Sequence, residues 1–385
     1  MNILIFANTC YRVISGGDKI FIELGRRWLQ FGEQVTAVTN QQGEAWCELH
    51  ELPKKNVIVW KTSQYERYGV YVCSFLQTVI SVFQSFFFPI RNFKIVFSSS
   101  EFWPSLLPAI ITKLRSKNKI KVVVACYLVL PHPAERYYGG SILRKYIAYF
   151  AEEVSYYLVN RFADAVFTAS SKDRERFYNR KQLSKKTVFA IRGGIDFKAF
   201  QKIDSQPVVY DAVFIGRFHP QKCVEELIDI WKHVLLRLPE KKLVLIGAGY
   251  LEEKIKKMIM KHSLNKQIML LGPKYDAEKT RILKSSRLFL SASRFDSGSL
   301  ALDESLACGT PGIIYELPKV DYPSGVVKVP LGNTQKFIEA VIHLLTHEIK
   351  RKKLALQGIR FTKTIDWTIK AKLAHQFLAQ VNKGK

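Results

Sequence analysis

Four side chains in the second half of this 385-residue chain have the types and spacing to handle anions and hydroxyls. In VFIGRFHPQKCVEELI (213–228) an apolar run ends at Gly216. Arg217 and Lys222 follow, five residues apart, before a helical pattern begins. A guanidinium fork, an ammonium point charge and the positive end of a helix favour the same anion, so this loop suits a diphosphate. The competing interpretation is two surface charges on a basic protein.

In RFDSGSLALDESLACGTPG (294–312), Asp296 and Glu304 stand on either side of a Ser-Gly-Ser turn. Gly298 allows the turn and Ser299 is a good N-cap. A helix is expected over residues 300–307, broken at Gly309 and kept from resuming by Pro311. A carboxylate accepts two hydroxyl hydrogen bonds at once. Asp296 in the loop and Glu304 inside the helix therefore suit a sugar and a ribose, while the first helix amides suit a phosphate. A turn aspartate and a solvated helix glutamate would look the same in sequence. Near the start, Gly16-Gly17 follows an apolar run and precedes a helix, where backbone amides approach a phosphate or sugar.

Such residues need strands that end just before them. Short apolar, β-rich runs alternate with helical patterns at 3–7, 35–38, 57–60, 95–98, 122–125, 165–168 and 187–191. They continue at 212–215, 243–246, 268–271, 288–290, 312–315 and 326–329. Runs apolar on both faces belong to parallel strands covered by helices, and the alternation means doubly wound α/β domains. The pattern restarts after the polar stretch containing Pro207. Two Rossmann-like domains are expected, 1–204 and 205–385, with ligands at the carboxyl ends of strands in a cleft between them. The tail (361–381) has helical periodicity, with Trp367 near its start.

Composition narrows the class. The chain is 48% hydrophobic and 24% charged, as globular chains are. Its net charge of +26 and pI of about 9.7 predict an anionic partner: nucleic acid, an acidic membrane face or phosphorylated substrates. The six cysteines are scattered with no CxxC pair, which argues for a reducing compartment and against a disulfide framework or metal cluster. The start MNILIFANTC reads as a buried strand and not a signal peptide. His343 and His347 lack an evident third ligand and read as surface.

Residues 69–90 contain no charge, and their length would permit a membrane span. Ser74, Gln77, Thr78, Ser81, Gln84 and Ser85 nevertheless recur at three- and four-residue steps and form one polar stripe. The expectation is a mostly buried or membrane-facing helix of a soluble domain.

Taken in order, these pieces resemble the retaining GT-B glycosyltransferases of family four (glycosyl transferases group one). The early GG and ELGRRWLQFGEQVTAVT are followed by ADAVFTASS and IRGGIDFKAF. Then come GRFHPQK, LVLIGAGYLEEKI, IMLLGP and ESLACGTPGI, and a final helix introduced by Trp367. The resemblance covers most of the chain. Its most specific part is the acid-x7-acid spacing ending in ESLACGTP, with the upstream Arg-x4-Lys. It implies an α/β chain of two doubly wound domains facing a cleft, an acceptor-binding first domain, a donor-binding second domain, and a last helix (361–382) packed back on the first.

The resemblance further implies Arg217 and Lys222 on the diphosphate of a nucleotide sugar, Glu304 on its ribose and Asp296 on the transferred sugar. The backbone of Ser299, Leu300 and Ala301 would meet phosphates or sugar, with Gly216 beside them. The base would stack near Gly272, Pro273 and Lys274, and Gly17 would close the site from the first domain. Transfer would be a front-face substitution in which Arg217, Lys222 and Asp296 act and a diphosphate oxygen takes the acceptor proton. No cofactor or metal is implied, and the sequence holds no Asp-x-Asp motif. The chain departs from the family pattern at Asp296 (usually Glu), Cys223 (Gly after the lysine), Gly193 (Asn) and Tyr127 (often His). Gly16, Tyr127 and His132 are the acceptor-side candidates.

The remaining positive charge also has an expected use. YERYGVY, RNFK, ITKLRSKNKIK and ERYYGGSILRKYIAYF set cations beside Tyr and Phe, as on a surface that faces anionic lipid. The expected protein is a hexosyltransferase-like enzyme of glycan biosynthesis. It would be cytoplasmic, peripheral on the inner face of the plasma membrane, and would act on a lipid-linked or glycan acceptor. The alternatives are a nucleotide-sugar-binding protein with little or no transferase activity, a basic nucleic-acid-binding protein, or a merely basic solvated surface. No nucleic-acid reader module is recognisable, so no nucleic-acid partner is expected.

Overall fold

A computed structural model describes the chain except for residues 10–13, 128–132, 134–140, 172–173, 176–186, 192, 297–298, 318–323 and 385. Met1–Arg136, Gly140–Gly193 and Trp367–Lys385 make one compact unit, and Gly194–Asp366 make the other.

The first unit runs β1 (Asn2–Ala7), α1 (Gly16–Gln30), β2 (Gln34–Thr39), α2 (Gln41–Leu49), β3 (Val57–Val59), α3 (Val70–Phe87), β4 (Ile95–Ser98), α4 (Trp103–Arg115), β5 (Lys121–Cys126), α5 (Ile142–Phe162), β6 (Ala165–Thr168) and β7 (Thr187–Ala190). Its parallel sheet has the order β3-β2-β1-β4-β5-β6-β7. β1 is central, with Ile3 opposite Val35 on one side and Ile95 on the other. Alternate β1 residues feed two cores: Ile3 and Ile5 join Phe21 and Trp28, while Leu4 and Phe6 join Leu106 and Ala109. Helices covering both faces explain why the strand is apolar throughout.

The second unit runs α6 (Phe197–Lys202), β8 (Tyr210–Ile215), α7 (Val224–Leu235), β9 (Leu243–Ile246), α8 (Glu252–Lys261), β10 (Ile268–Gly272), α9 (Asp276–Lys284), β11 (Ser286–Ser291), α10 (Leu300–Ala307), β12 (Gly312–Glu316), β13 (Val326–Pro330), α11 (Thr334–Thr346) and α12 (Glu348–Thr362). Its parallel sheet has the order β10-β9-β8-β11-β12-β13. Every expected apolar run is a strand. In both sheets the strand order reverses once, at β1/β4 and at β8/β11, and such switch points are where open α/β sheets bind ligands.

Two expected boundaries shift. The chain enters the second unit at Gly194 and not near Ser205, because Ile195 and Phe200 pack with Ala307 and Ile365 in one buried cluster. The tail helix, α13 (Trp367–Asn382), starts later than residue 361. Asp366 is extended there (φ −57°, ψ 140°), and its carboxylate accepts the Phe197 amide at 3.3 Å, which ends the preceding helical stretch. α13 packs on α1 within the first unit: Trp367, Ala371 and Leu378 join that core, and Trp28 Nε1 donates to the Ala371 carbonyl at 3.2 Å.

α3 forms over the expected uncharged segment, with its polar stripe turned inward. Gln77, Ser81 and Ser85 are buried, whereas Phe75, Phe83 and Phe87 are exposed. Among the described residues, no helix is long and apolar enough to cross a membrane.

Candidate active site

The loop after β8 is shaped by close backbone approach. Gly216 donates to the Ile246 carbonyl at 3.0 Å, and a Cβ on Gly247 (φ 141°) would come within 1.9 Å of the Gly216 oxygen. Only glycine allows that contact, so the ends of β8 and β9 close together. A short turn over Pro220–Lys222 follows, capped by His219, whose Nδ1 accepts the Gln221 amide at 3.2 Å. Burial first, then the charges of Arg217 and Lys222, push the His219 pKa below its ordinary value. That keeps the imidazole neutral with its proton on Nε2, which the accepted bond requires. Cys223 then turns the chain into α7 at φ 49°, ψ 44°, a left-handed geometry natural to glycine. Cys223 thus stands, where the family pattern has glycine, in a backbone geometry that favours glycine. Arg217 is exposed at the loop's edge.

Asp296 sits on the loop after β11, the strand beside β8 across the switch point. Lys222 Nζ reaches Asp296 Oδ2 at 2.6 Å, and both side chains are largely buried. The neighbouring residues hold this loop in position. Gln221 Nε2 donates to the Phe295 carbonyl at 2.9 Å, and Arg294 pairs with Glu226 at 2.9 Å. Tyr315 donates to the same Glu226 at 2.6 Å. Such support keeps a site's geometry from drifting.

Ser299 caps α10 by accepting the Leu302 amide at 3.2 Å, so Leu300 and Ala301 are the first helical residues, as the N-cap pattern predicts. Glu304 is buried and pairs with Lys279 of α9 at 2.7 Å. Gly272 ends β10 at φ 68°. Beyond it Pro273 is exposed, and Lys274 pairs with Glu278 at 2.6 Å.

In the first unit, Ser15 and Asp18 form a capping box that makes Gly16 and Gly17 the first residues of α1. A Cβ on Gly17 would lie 3.3 Å from the Tyr127 ring, so glycine lets this ring approach the helix end. The Tyr127 hydroxyl is buried without a hydrogen-bond partner among the described residues. At the same carboxyl edge of the sheet lie two buried acids, Glu101 and Glu152, and Tyr156 donates to Glu152. Burial, then the Glu152 charge, pushes the Glu101 carboxyl up to about 8. His132 lies outside the described residues.

The structure therefore joins Lys222 to Asp296, and Gly17 to Tyr127. It sets Glu304 against Lys279, a residue that sequence reasoning missed because nothing in α9's own pattern marks it. Gln221 and Glu226, which steady the Asp296 loop, were missed for the same reason. Glu101 carried a legible signal: it follows a strand almost directly, where ligand-facing residues of such sheets gather.

Comparison with known proteins bears on the family and the fold. Residues 196–361 match the family described as glycosyl transferases group 1. That segment is a group 1 glycosyl transferase domain. The domain contains Arg217, Lys222, Asp296 and Glu304. An uncharacterized glycosyltransferase of Methanocaldococcus jannaschii is 29% identical over 160 residues, covering 40% of this chain and 44% of that protein. The phosphatidyl-myo-inositol mannosyltransferase of Mycobacterium leprae is 25% identical over 166 residues, covering 41% of this chain and 43% of that protein. The chain thus matches less than half the length of these two relatives. The crystal structure of Anabaena HepE in complex with UDP superposes with a TM-score of 0.73 at 14% identity, covering 99% of this chain and 100% of HepE. The fold class is that of GT-B glycosyltransferases: the group 1 domain is one doubly wound unit, and the first unit is the other.

Proposed function

We propose that this protein is a retaining, metal-independent glycosyltransferase that moves a sugar from a nucleoside-diphosphate donor to a lipid-linked or glycan acceptor. The observation that carries the reading is the contact of Lys222 with Asp296 at a strand switch point inside a group 1 domain. It sets a cation suited to a diphosphate beside a carboxylate suited to sugar hydroxyls.

In this reading Arg217 and Lys222 hold the diphosphate and stabilise its charge as it leaves. The amides of Ser299, Leu300 and Ala301 add the positive end of α10. Glu304, positioned by Lys279, accepts from the ribose, and the base lies by Gly272, Pro273 and Lys274. Asp296 orients the transferred sugar. The bond from the anomeric carbon to the diphosphate oxygen breaks as the acceptor oxygen bonds to the same face. The acceptor's proton passes to the departing diphosphate. The first unit, with Gly16, Gly17 and Tyr127, takes the acceptor. The UDP complex of HepE and the inositol-lipid mannosyltransferase support a nucleotide-linked donor and a lipid-linked acceptor. The proposal puts the enzyme on the inner face of the plasma membrane.

A thermal-shift screen of UDP-, GDP-, ADP- and TDP-sugars tests the reading. One donor is expected to stabilise the chain, and transfer is expected to survive chelation of divalent metals. If no nucleoside diphosphate stabilises it, the reading fails. The Tyr127 hydroxyl, unpartnered among the described residues and at a position where the resembled family often has histidine, favours a second reading, donor binding without transfer. Single-turnover assays separate the two: the sugar either leaves the nucleotide or stays on it.

A further inference from the structure

α3 is inverted relative to a helix of a water-soluble surface. Gln77, Ser81 and Ser85 are 0% exposed, while Phe75, Phe83 and Phe87 are 66%, 65% and 74% exposed. Burying amides and hydroxyls while leaving phenylalanines in water opposes both transfer preferences. Among the described residues, neither polar atom of the Gln77 side chain has a hydrogen-bond partner, nor does Ser81 Oγ. The orientation is nonetheless anchored. Thr78 and Ser85 bond back to the Ser74 and Val82 carbonyls at 2.7 and 2.6 Å. Arg115 of α4, the helix on which α3 packs, donates to the Ser85 and Phe88 carbonyls at 2.6 and 2.8 Å, tying down the end of α3. Packing through small and polar residues with large apolar ones outward is the arrangement of a helix that faces lipid.

The surroundings select the kind of lipid. The start of α5, a helix that also touches α4, likewise exposes Ile142, Leu143, Ile147 and Phe150. Residues 70–150 carry ten Lys or Arg against two acids, Glu101 and Glu135. Arg91, Lys94, Lys117, Lys119 and Arg144 are exposed among them. A second copy of the chain would set this cationic segment against itself, at a cost in repulsion. An anionic bilayer offers hydrocarbon to the phenylalanines and phosphate to the cations.

We propose that the phenylalanine face of α3, extended by the start of α5, docks sideways into an anionic bilayer, with α3 lying in the interface and not crossing it. This deepens the membrane part of the proposed function by naming the face that meets lipid, and it is independent of which sugar is moved.

The test uses the full chain and vesicles of phosphatidylcholine with and without phosphatidylglycerol. In the Phe83→Trp variant, fluorescence is expected to shift to the blue on phosphatidylglycerol vesicles and to be quenched by brominated acyl chains. Leu236→Trp, an exposed position in the other unit, is expected to show neither. The triple variant Phe75→Ser, Phe83→Ser, Phe87→Ser is expected to lose about hundredfold or more in vesicle partition while keeping its melting temperature and donor binding. An unquenched Trp at position 83, unchanged partition of the triple variant, or lipid-free dimers that the triple variant abolishes would each overturn the proposal. A chain that binds vesicles but no nucleoside diphosphate would keep this inference and remove the transferase reading. The reverse result would do the opposite.

Discussion

Lys222 and Asp296 are 74 residues apart in the chain and 2.6 Å apart in space. The contact exists because β8 and β11 are neighbours at the point where strand order reverses, so the loops leaving their carboxyl ends meet. The two side chains also neutralise each other before any ligand binds. A diphosphate would compete with Asp296 for the Lys222 ammonium, which frees the carboxylate for a sugar.

Lys222→Ala is accordingly expected to weaken nucleoside-diphosphate binding about tenfold to a hundredfold, the value of one charge-assisted contact. Asp296→Asn is expected to leave that affinity within about threefold and to lower turnover about a hundredfold, because it leaves the cation in place and alters the sugar contact. Calorimetry with the diphosphate and steady-state rates on the preferred donor measure the two. Unchanged affinity in Lys222→Ala would contradict the phosphate assignment.

Glu304 and Lys279 form a buried pair, so removing either partner strands the other. Glu304 is the more deeply buried of the two, and the lysine ammonium can swing towards water on its flexible stem. Lys279→Met is therefore expected to destabilise by about 3–5 kcal/mol and Glu304→Gln by less. Urea unfolding of both variants and of the double variant measures the coupling. The prediction fails if the order is reversed.

Cys223 gives a substitution order set by its backbone. Its left-handed backbone disfavours any side chain, while its thiol packs in the core. Alanine and glycine both lose that packing, but only glycine relieves the backbone. Cys223→Gly is expected to be about 1 kcal/mol more stable than Cys223→Ala, the opposite of the order inside a helix. Thermal melts of the pair decide it.

Glu101 supplies a pH dependence. Its carboxyl, ordinarily near 4.5, is pushed up to about 8, so the folded state keeps a proton that the unfolded state has lost. The stabilisation is fully present below the unfolded value, declines as pH rises from there, and is lost once pH has passed through the folded value. Glu101→Gln mimics the neutral acid. It is expected to match the wild type in melting temperature below the ordinary value of 4.5, to exceed it progressively as pH climbs from there to about 8, and to keep a constant lead above that. Parallel melting curves that never diverge would show that Glu101 is ionised in the fold.

The primary structure alone determined where strands form and which loops follow them. Two-sided apolar runs exclude other elements, and Gly216, Ser299 and Pro311 punctuate the chain by their own backbone preferences. It also determined the candidate cations and acids, since their types are set by the chemistry of the anion and hydroxyls they would meet. Only the tertiary structure decided which strands are neighbours, and hence that Lys222 meets Asp296 and Glu304 meets Lys279. It alone decided that α3 turns its polar stripe inward. Periodicity reveals that a helix has two faces, but which one is buried depends on the element packed against it, and that element lies elsewhere in the sequence.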